Sequence, residues 1–202
     1  QRQMCIRDRV TSPSYEGYLL DLEKIYDICQ KYETKLFVDL AHGSHLYLND
    51  LYKNCFDLAV TSFHKNLSAL TPSAALLVND ESLIGSLREN MAIFQSSSPS
   101  YLILQSIDEM IENFDKFYGM MDNLNKNLDE LYDLNLKNLK LINHKDKDRS
   151  KILISCKNTN ISGVELQEIL RKNKIEIEMA YPSYALLIAS IFDSKEAFVY
   201  LK

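Results

Sequence analysis

Apolar and polar residues alternate along this chain in two distinct rhythms, and the change of rhythm marks its elements. Residues 18–32 (YLLDLEKIYDICQKY) return Leu19, Leu22, Ile25, Tyr26 and Cys29 at helical spacing, which predicts an amphipathic helix. Ahead of it, VTSPSYEG (Val10 to Gly17) predicts a short strand running into a turn, with Pro13 and Gly17 as punctuation. KLFVD (35–39), FDLAVTS (56–62) and SAALLV (73–78) are short apolar runs without polar alternation, the pattern of strands covered on both faces. A shorter helical stretch is expected near 47–54. Strand, helix and strand in that order predict an α/β fold whose parallel sheet is covered by helices.

Helical periodicity then takes over, at about 80–93 and again at about 100–133, with a bend expected near Gly119. NHKDKDRS (143–150) reads as a charged, solvated linker. Beyond it the pattern changes to KILISC (151–156), a helix at 162–173, IEIEMA (175–180) and YALLIAS (184–190). Ser162 followed by Glu165 is the signature of a capping box. This order predicts a small α/β lobe, so the expected organisation is a large-domain part at 10–142 and a small lobe at 151–202.

Composition narrows the function. A formal charge of −5 over 202 residues argues against a nucleic-acid partner, and no apolar run approaches a membrane span. Cys5, Cys29, Cys55 and Cys156 have no CxxC spacing and no accompanying His cluster, so no metal site is expected. They read as reduced, mostly buried thiols, and no signal peptide precedes them, which suggests a cytoplasmic protein. Gly17, Gly43, Gly85, Gly119 and Gly163 are too scattered to form a glycine-rich phosphate cradle. The first nine residues, QRQMCIRDR, lack a cap or apolar periodicity and read like a translated sequencing-library adapter, so they are expected to lie outside the fold. The last residues, AFVYLK, stop inside a helix expected from Ser194, and both ends look cut.

Ligands of open parallel sheets bind beyond the carboxyl ends of the strands. Asp39 closes one apolar run, and Lys65 follows another in the tetrapeptide SFHK (Ser62 to Lys65), about one crossover unit later. A carboxylate and an amine thus reach the same sheet edge, where a lysine beside Ser and His could form a Schiff base. Spacing alone leaves two other readings open, a surface lysine and a capping aspartate.

Four strings in register carry more. VTSPSYEG, VDLAHGSH, TSFHKNLSALTPSAALLV and FQSSSPSYLILQSID resemble, in this order, the pyridoxal-phosphate-dependent Orn/Lys/Arg decarboxylase family. ISGVELQEILRKNKIEIEMAYPSYALLIASI resembles the small C-terminal lobe of the same family, so the likeness runs from Val10 to the last residue. The resemblance implies an aspartate-aminotransferase-like fold of type I: part of a mostly parallel large-domain sheet, long helices, then a small α/β lobe. It implies that Lys65 forms a Schiff base with pyridoxal 5'-phosphate and that Asp39 pairs with the pyridinium nitrogen. Ala41 would lie flat under the ring, Ser62 and His64 would contact the phosphate or its pocket, and His42 would face the ring or the substrate as a catalytic group.

The implied reaction removes CO2 from arginine, lysine or ornithine and releases the corresponding amine. The intact protein would be a homo-oligomer, a dimer or larger. In the family the block Ser96, Ser97, Ser98, Pro99 and Tyr101 lies near the active site and dimer contact; from the residues alone it reads as a loop and N-cap. His45 and His144 read as surface or loop residues. Leu40 departs from the acidic residue common there. The family's phosphate loop and ring-stacking residue would lie upstream of Val10, and a further region beyond the C-terminus, so this chain reads as an interior fragment with little cofactor affinity of its own. Alternatives are an aminotransferase or carbon–sulfur lyase on the same fold, or a non-catalytic interaction protein. An aminotransferase would need an arginine for the α-carboxylate, and Arg88, Arg149 and Arg171 lie in no strand-end motif.

Overall fold

The computed structural model describes residues 7–49 and 55–202. Contacts divide the chain into two units, Gln1–Pro13 with Leu20–Lys116, and Ser14–Leu19 with Phe117–Lys202. The later division falls ahead of 143–150, where the charge pattern suggests a linker.

The first unit holds a four-stranded sheet of order β1 (Arg7–Thr11), β2 (Lys35–Leu40), β3 (Leu58–Ser62) and β4 (Ala74–Val78). β1, β2 and β3 are parallel, whereas β4 runs antiparallel to β3. The sheet is therefore mostly parallel. The connection from β3 to β4 is too short for a crossover helix, and a short connection reverses the chain. Leu36, Val38 and Leu40 are fully buried, while Phe37 and Asp39 alternate onto the other, half-covered face. β1 begins at Arg7, so the last residues of the segment expected to lie outside the fold pair in register with Lys35 to Phe37. Residues 1–6, Cys5 among them, lie outside the described residues.

Helix α1 spans Leu22–Lys31, shorter than the apolar pattern suggests. Asp21 stops it at the front, its carboxylate accepting from the Lys24 N–H at 3.2 Å. Ser44–Asn49 forms a 3-10 helix; of the stretch expected near 47–54, residues 50–54 lie outside the described residues. A single turn, α2 (Phe63–Asn66), follows β3 directly. α3 (Ile84–Phe94) and α4 (Tyr101–Glu112) complete this unit. α5 (Phe114–Tyr132) starts in it and continues into the second. The interruption falls at Asn113, not Gly119: the Asn113 side chain donates to the Glu109 carbonyl at 2.7 Å and closes the helix end. Gly119 sits mid-helix in open surroundings, where a methyl group in place of its hydrogen would meet nothing within 4 Å that could force a bend.

The second unit is built on an antiparallel sheet of order β5 (Lys140–Ile142), β6 (Lys151–Ser155), β8 (Tyr184–Ile188) and β7 (Met179–Ala180). Only the end of the 175–180 run is strand. Helix α6 (Gly163–Lys172) opens with the expected capping box: Ser162 Oγ accepts from the Glu165 N–H at 3.2 Å, and Glu165 Oε2 from the Ser162 N–H at 2.7 Å. Helix α7 (Lys195–Leu201) follows Ser194 as anticipated. Ile152, Leu153, Ile154, Leu166 and Leu186 form the buried core here, with Met121, Leu124 and Leu128 buried on α5.

In the 143–150 stretch, residues 143–146 are exposed, as expected of a solvated loop, but 147–150 are not. Lys147, Asp148 and Ser150 are buried, because the segment Ser14–Leu19 lies against them as a strap. The Asp148 N–H donates to the Gly17 carbonyl at 2.7 Å, and the Leu19 N–H to the Asp146 carbonyl at 2.9 Å. Gly17 adopts φ +95°, and a methyl group there would stand 2.7 Å from Lys151 Cβ, so only glycine fits. At the other end of the strap the Tyr15 hydroxyl donates to Glu178, which pushes the Tyr15 pKa up to about 12.

Candidate functional site

Two loops leave the carboxyl ends of the neighbouring parallel strands β2 and β3, and the sequence-selected residues lie on them. After β2 the chain turns at once, the Gly43 N–H donating to the Leu40 carbonyl at 2.8 Å, and this turn carries Ala41 and His42. After β3, Ser62 keeps extended geometry and α2 adds one turn, closed by the Leu67 N–H on the Phe63 carbonyl at 2.9 Å. That turn lifts the exposed Lys65 over the sheet edge until its Nζ lies 3.2 Å from His42 Nε2. An amine and an imidazole at this distance can exchange a proton.

Asp39, on β2, is half-buried with both oxygens engaged. Oδ1 accepts from the Ala41 N–H at 3.1 Å, and Oδ2 from Arg9 at 2.9 Å. Arg9 is 64% exposed and also lies 5.6 Å over the Phe37 ring, so its pairing with Asp39 is that of a solvent-facing cation and leaves Oδ2 exchangeable. His64 turns Nδ1 toward the Ser73 backbone, 3.1 Å from its N–H and 2.9 Å from its carbonyl, which fixes the ring against the start of β4. Ser62 is buried and makes no side-chain capping bond to α2. Thr61 Oγ1 donates to the Leu40 carbonyl at 3.3 Å, tying the ends of β2 and β3 together.

The structure therefore brings Lys65 and His42 together and sets Asp39, Ala41, Ser62 and His64 on the same pair of strand ends. Sequence reasoning missed α2, the Ser73 anchor and Arg9. The first two have no periodic signal over so short a span, and Arg9 stands in the segment expected to lie outside the fold. His45 is a correction: it is 4% exposed rather than a surface residue, carried inward by the 3-10 turn. His144 is exposed as expected. In the serine block, Ser100 takes the N-cap position of α4, while Ser96 Oγ closes its own loop by accepting from the Ser98 N–H at 3.1 Å. Cys29 and Cys156 are buried, Cys55 is half-buried, and burial pushes the Cys156 thiol pKa up.

The residues present fit pyridoxal phosphate: an accessible lysine amine beyond β3 and, on the adjacent β2, a carboxylate followed closely by a small residue, Ala41. Comparisons with known proteins bear on the family and the fold. The sequence profile described as "Orn/Lys/Arg decarboxylase, major domain" matches residues 3–134. An arginine decarboxylase of Halalkalibacterium halodurans is 30% identical over 206 residues, covering 92% of this chain and 42% of the relative. The chain thus spans less than half the length of that relative. The constitutive lysine decarboxylase of E. coli superposes with a TM-score of 0.76 at 15% identity, over 97% of this chain and 35% of the other. A PLP-bound putative aminotransferase of Clostridium difficile 630 superposes with a TM-score of 0.65 at 15% identity, over 96% and 56%. These two superpositions establish the fold, that of type I pyridoxal-phosphate enzymes.

Proposed function

We propose, from the premise that the chain belongs to the Orn/Lys/Arg decarboxylase family, that it carries the cofactor lysine and ring-nitrogen carboxylate of a site for pyridoxal-phosphate-dependent decarboxylation of a basic amino acid. The observation that carries this reading is the pairing of Lys65 Nζ with His42 Nε2 at 3.2 Å, at the ends of adjacent parallel strands that also bear Asp39. Lys65 would hold the cofactor through its ε-amine, and His42 would accept the proton that the amine must lose to become a nucleophile. Asp39 would keep a proton on the ring nitrogen, with Oδ2 leaving Arg9 for that role. Ala41 would leave room for a flat ring, and Ser62 and His64 would meet the phosphate. When bound, pyridoxal phosphate supplies a conjugated ring that takes up the electron pair left as the carboxylate departs as CO2.

Arginine is the first substrate to try, since the matched sequence relatives are arginine decarboxylases; lysine and ornithine follow. A cytoplasmic homo-oligomer belongs to the same reading. Association, as distinct from location, is supported by Ile93, Phe94, Tyr101 and Leu102, large apolar side chains that stand 70–85% exposed around the serine loop. Borohydride reduction with pyridoxal phosphate, followed by peptide mapping, tests the site. Labelling concentrated on Lys65 and lost in Lys65→Ala is expected, with weak binding by these 202 residues. Label spread evenly over surface lysines and unchanged in the variant would overturn the assignment.

A further inference from the structure

One face of the second-unit sheet holds an open cavity of about 580 Å³, bounded by β5, β6, β8 and the strap. Strand register sets its floor. Lys140, Ser155 and Tyr184 stand side by side on β5, β6 and β8, and Ile142 pairs with Leu153 in the next row. Residues two apart share a face, so both rows line the same cavity. Its charges lie at opposite ends. At the Tyr184 end, Glu16 reaches in from the strap. Its Oε1 accepts from the Tyr181 and Tyr184 hydroxyls at 3.4 and 3.5 Å, and its Oε2 from Ser14 Oγ at 3.3 Å. These are long bonds from neutral donors, and among the described residues no cation pairs with this half-buried carboxylate. Tyr181 stacks on Tyr184 with centroids 4.3 Å apart, which steadies this wall.

At the far end Lys140 and Lys157 are exposed, one on strand β5 and one on the turn after β6. Among the described residues neither ammonium has a hydrogen-bond or ion-pair partner, and the exposed Asn158 side chain beside them has none either. Neighbouring strands lie about 4.8 Å apart, so about 10 Å of backbone separates Lys140 from Tyr184. Across that apolar floor the carboxylate and the two amines do not meet. We propose that this cavity binds a small dipolar ligand, a carboxylate and a cationic nitrogen joined by a short apolar chain, as in a basic amino acid or an ω-amino carboxylate. Lys140, Lys157 and Asn158 hold its carboxylate, the chain lies on Ile142 and Leu153, and its cation meets Glu16 beside the Tyr18 and Tyr184 rings. A ligand with one charge uses only one end: Glu16 repels a plain anion and the two lysines repel a plain amine. Every residue named lies in the second unit, so the site stands apart from the decarboxylase reading.

A two-dimensional amide NMR titration of the 202-residue chain with 6-aminohexanoate, at constant ionic strength, tests the site. Saturable shifts centred on 16–18, 140–142, 155–158 and 183–184 are expected. L-lysine forms the second arm: saturation by both ligands assigns a basic amino acid, saturation by 6-aminohexanoate alone an ω-amino carboxylate without an α-ammonium. Hexanoate and hexylamine should each bind about tenfold more weakly or worse, the loss of one charge-assisted contact. Glu16→Gln keeps an acceptor for the phenols and should weaken 6-aminohexanoate about tenfold while binding hexanoate no worse. Lys157→Met should weaken both; this exposed residue can be replaced without touching the core, so its variant keeps the test decisive whatever Glu16→Gln does to the strap. Lys172→Met, on α6, should change neither. Shifts with 6-aminohexanoate that do not saturate or that centre elsewhere, hexanoate binding as tightly as 6-aminohexanoate, or wild-type affinity in Lys157→Met would overturn the proposal.

Discussion

Replacing Lys147 with methionine should stabilise the protein at neutral pH. In the fold the amine titrates at about 8, against an ordinary 10.5, because burial disfavours its charge. Below pH 8 both the folded and the unfolded chain hold the proton, and the folded chain bears the full penalty of about 3 kcal/mol. Between 8 and 10.5 the unfolded chain binds more protons, so stability rises with pH and the penalty shrinks to about 1 kcal/mol at pH 10. Above pH 10 the opposite slope begins, because Tyr15 and Tyr184 are pushed up to about 12 and retain their protons longer in the fold.

Methionine keeps most of the lysine's apolar stem and removes the charge. The Asp148 carbonyl still accepts from the Lys151 N–H at 3.2 Å, but the Lys151 carbonyl loses a donor, at about 1 kcal/mol. The net gain is therefore about 2 kcal/mol at pH 7, falling to about zero at pH 10. Urea unfolding of both chains by far-UV circular dichroism, in phosphate-free buffer from pH 7 to 10, measures the difference. A variant less stable at pH 7, or a difference that is flat across this range, would refute the reasoning.

Three further outcomes follow from local geometry. Gly163→Ala places Cβ 2.2 Å from the carbonyl oxygens of Tyr181 and Tyr184, backbone atoms that cannot turn aside, and should cost about 3 kcal/mol, read as a lower Tm by calorimetry. Ser162→Ala removes the acceptor half of the capping box and should cost about 1 kcal/mol in urea midpoint measurements. Asp80 is held at about 2 chiefly by its hydrogen bond from Lys35; in Lys35→Met its pKa, followed by NMR, should climb toward 3.8 without reaching it, because the Ser82 bonds remain.

The residues at the two strand ends are legible in the sequence because their neighbours are. LFVD and LAVTS are unambiguous strand runs, so the positions of Asp39 and of SFHK on the sheet edge follow from order alone. The direction of β4 is not legible, since SAALLV carries no mark of which way it runs; connection length decides it. Propensity points to a bend at Gly119, yet an isolated glycine in a well-packed helix need not break it, whereas Asn113 closes its turn with its own side chain. NHKDKDRS has the composition of a solvated loop. What buries Lys147 and Asp148 is the strap around Gly17, far away in sequence, and no local pattern carries that pairing.

The strap has a consequence for anyone dividing this protein. Ser14–Leu19 lies between β1 and α1 in the chain yet packs within the second unit, so the polypeptide passes from one unit to the other three times. A piece cut at 116/117 and expressed alone would leave the Gly17 carbonyl behind, and with it the cover over Asp148 and Lys151. The lobe cannot finish folding from its own contiguous stretch; its last contacts must be recruited from residues synthesised more than a hundred positions earlier. Inheritance of the two units as separable modules is thereby closed off: an insertion, a fusion or a permutation has to keep the early strap and the late lobe on one chain.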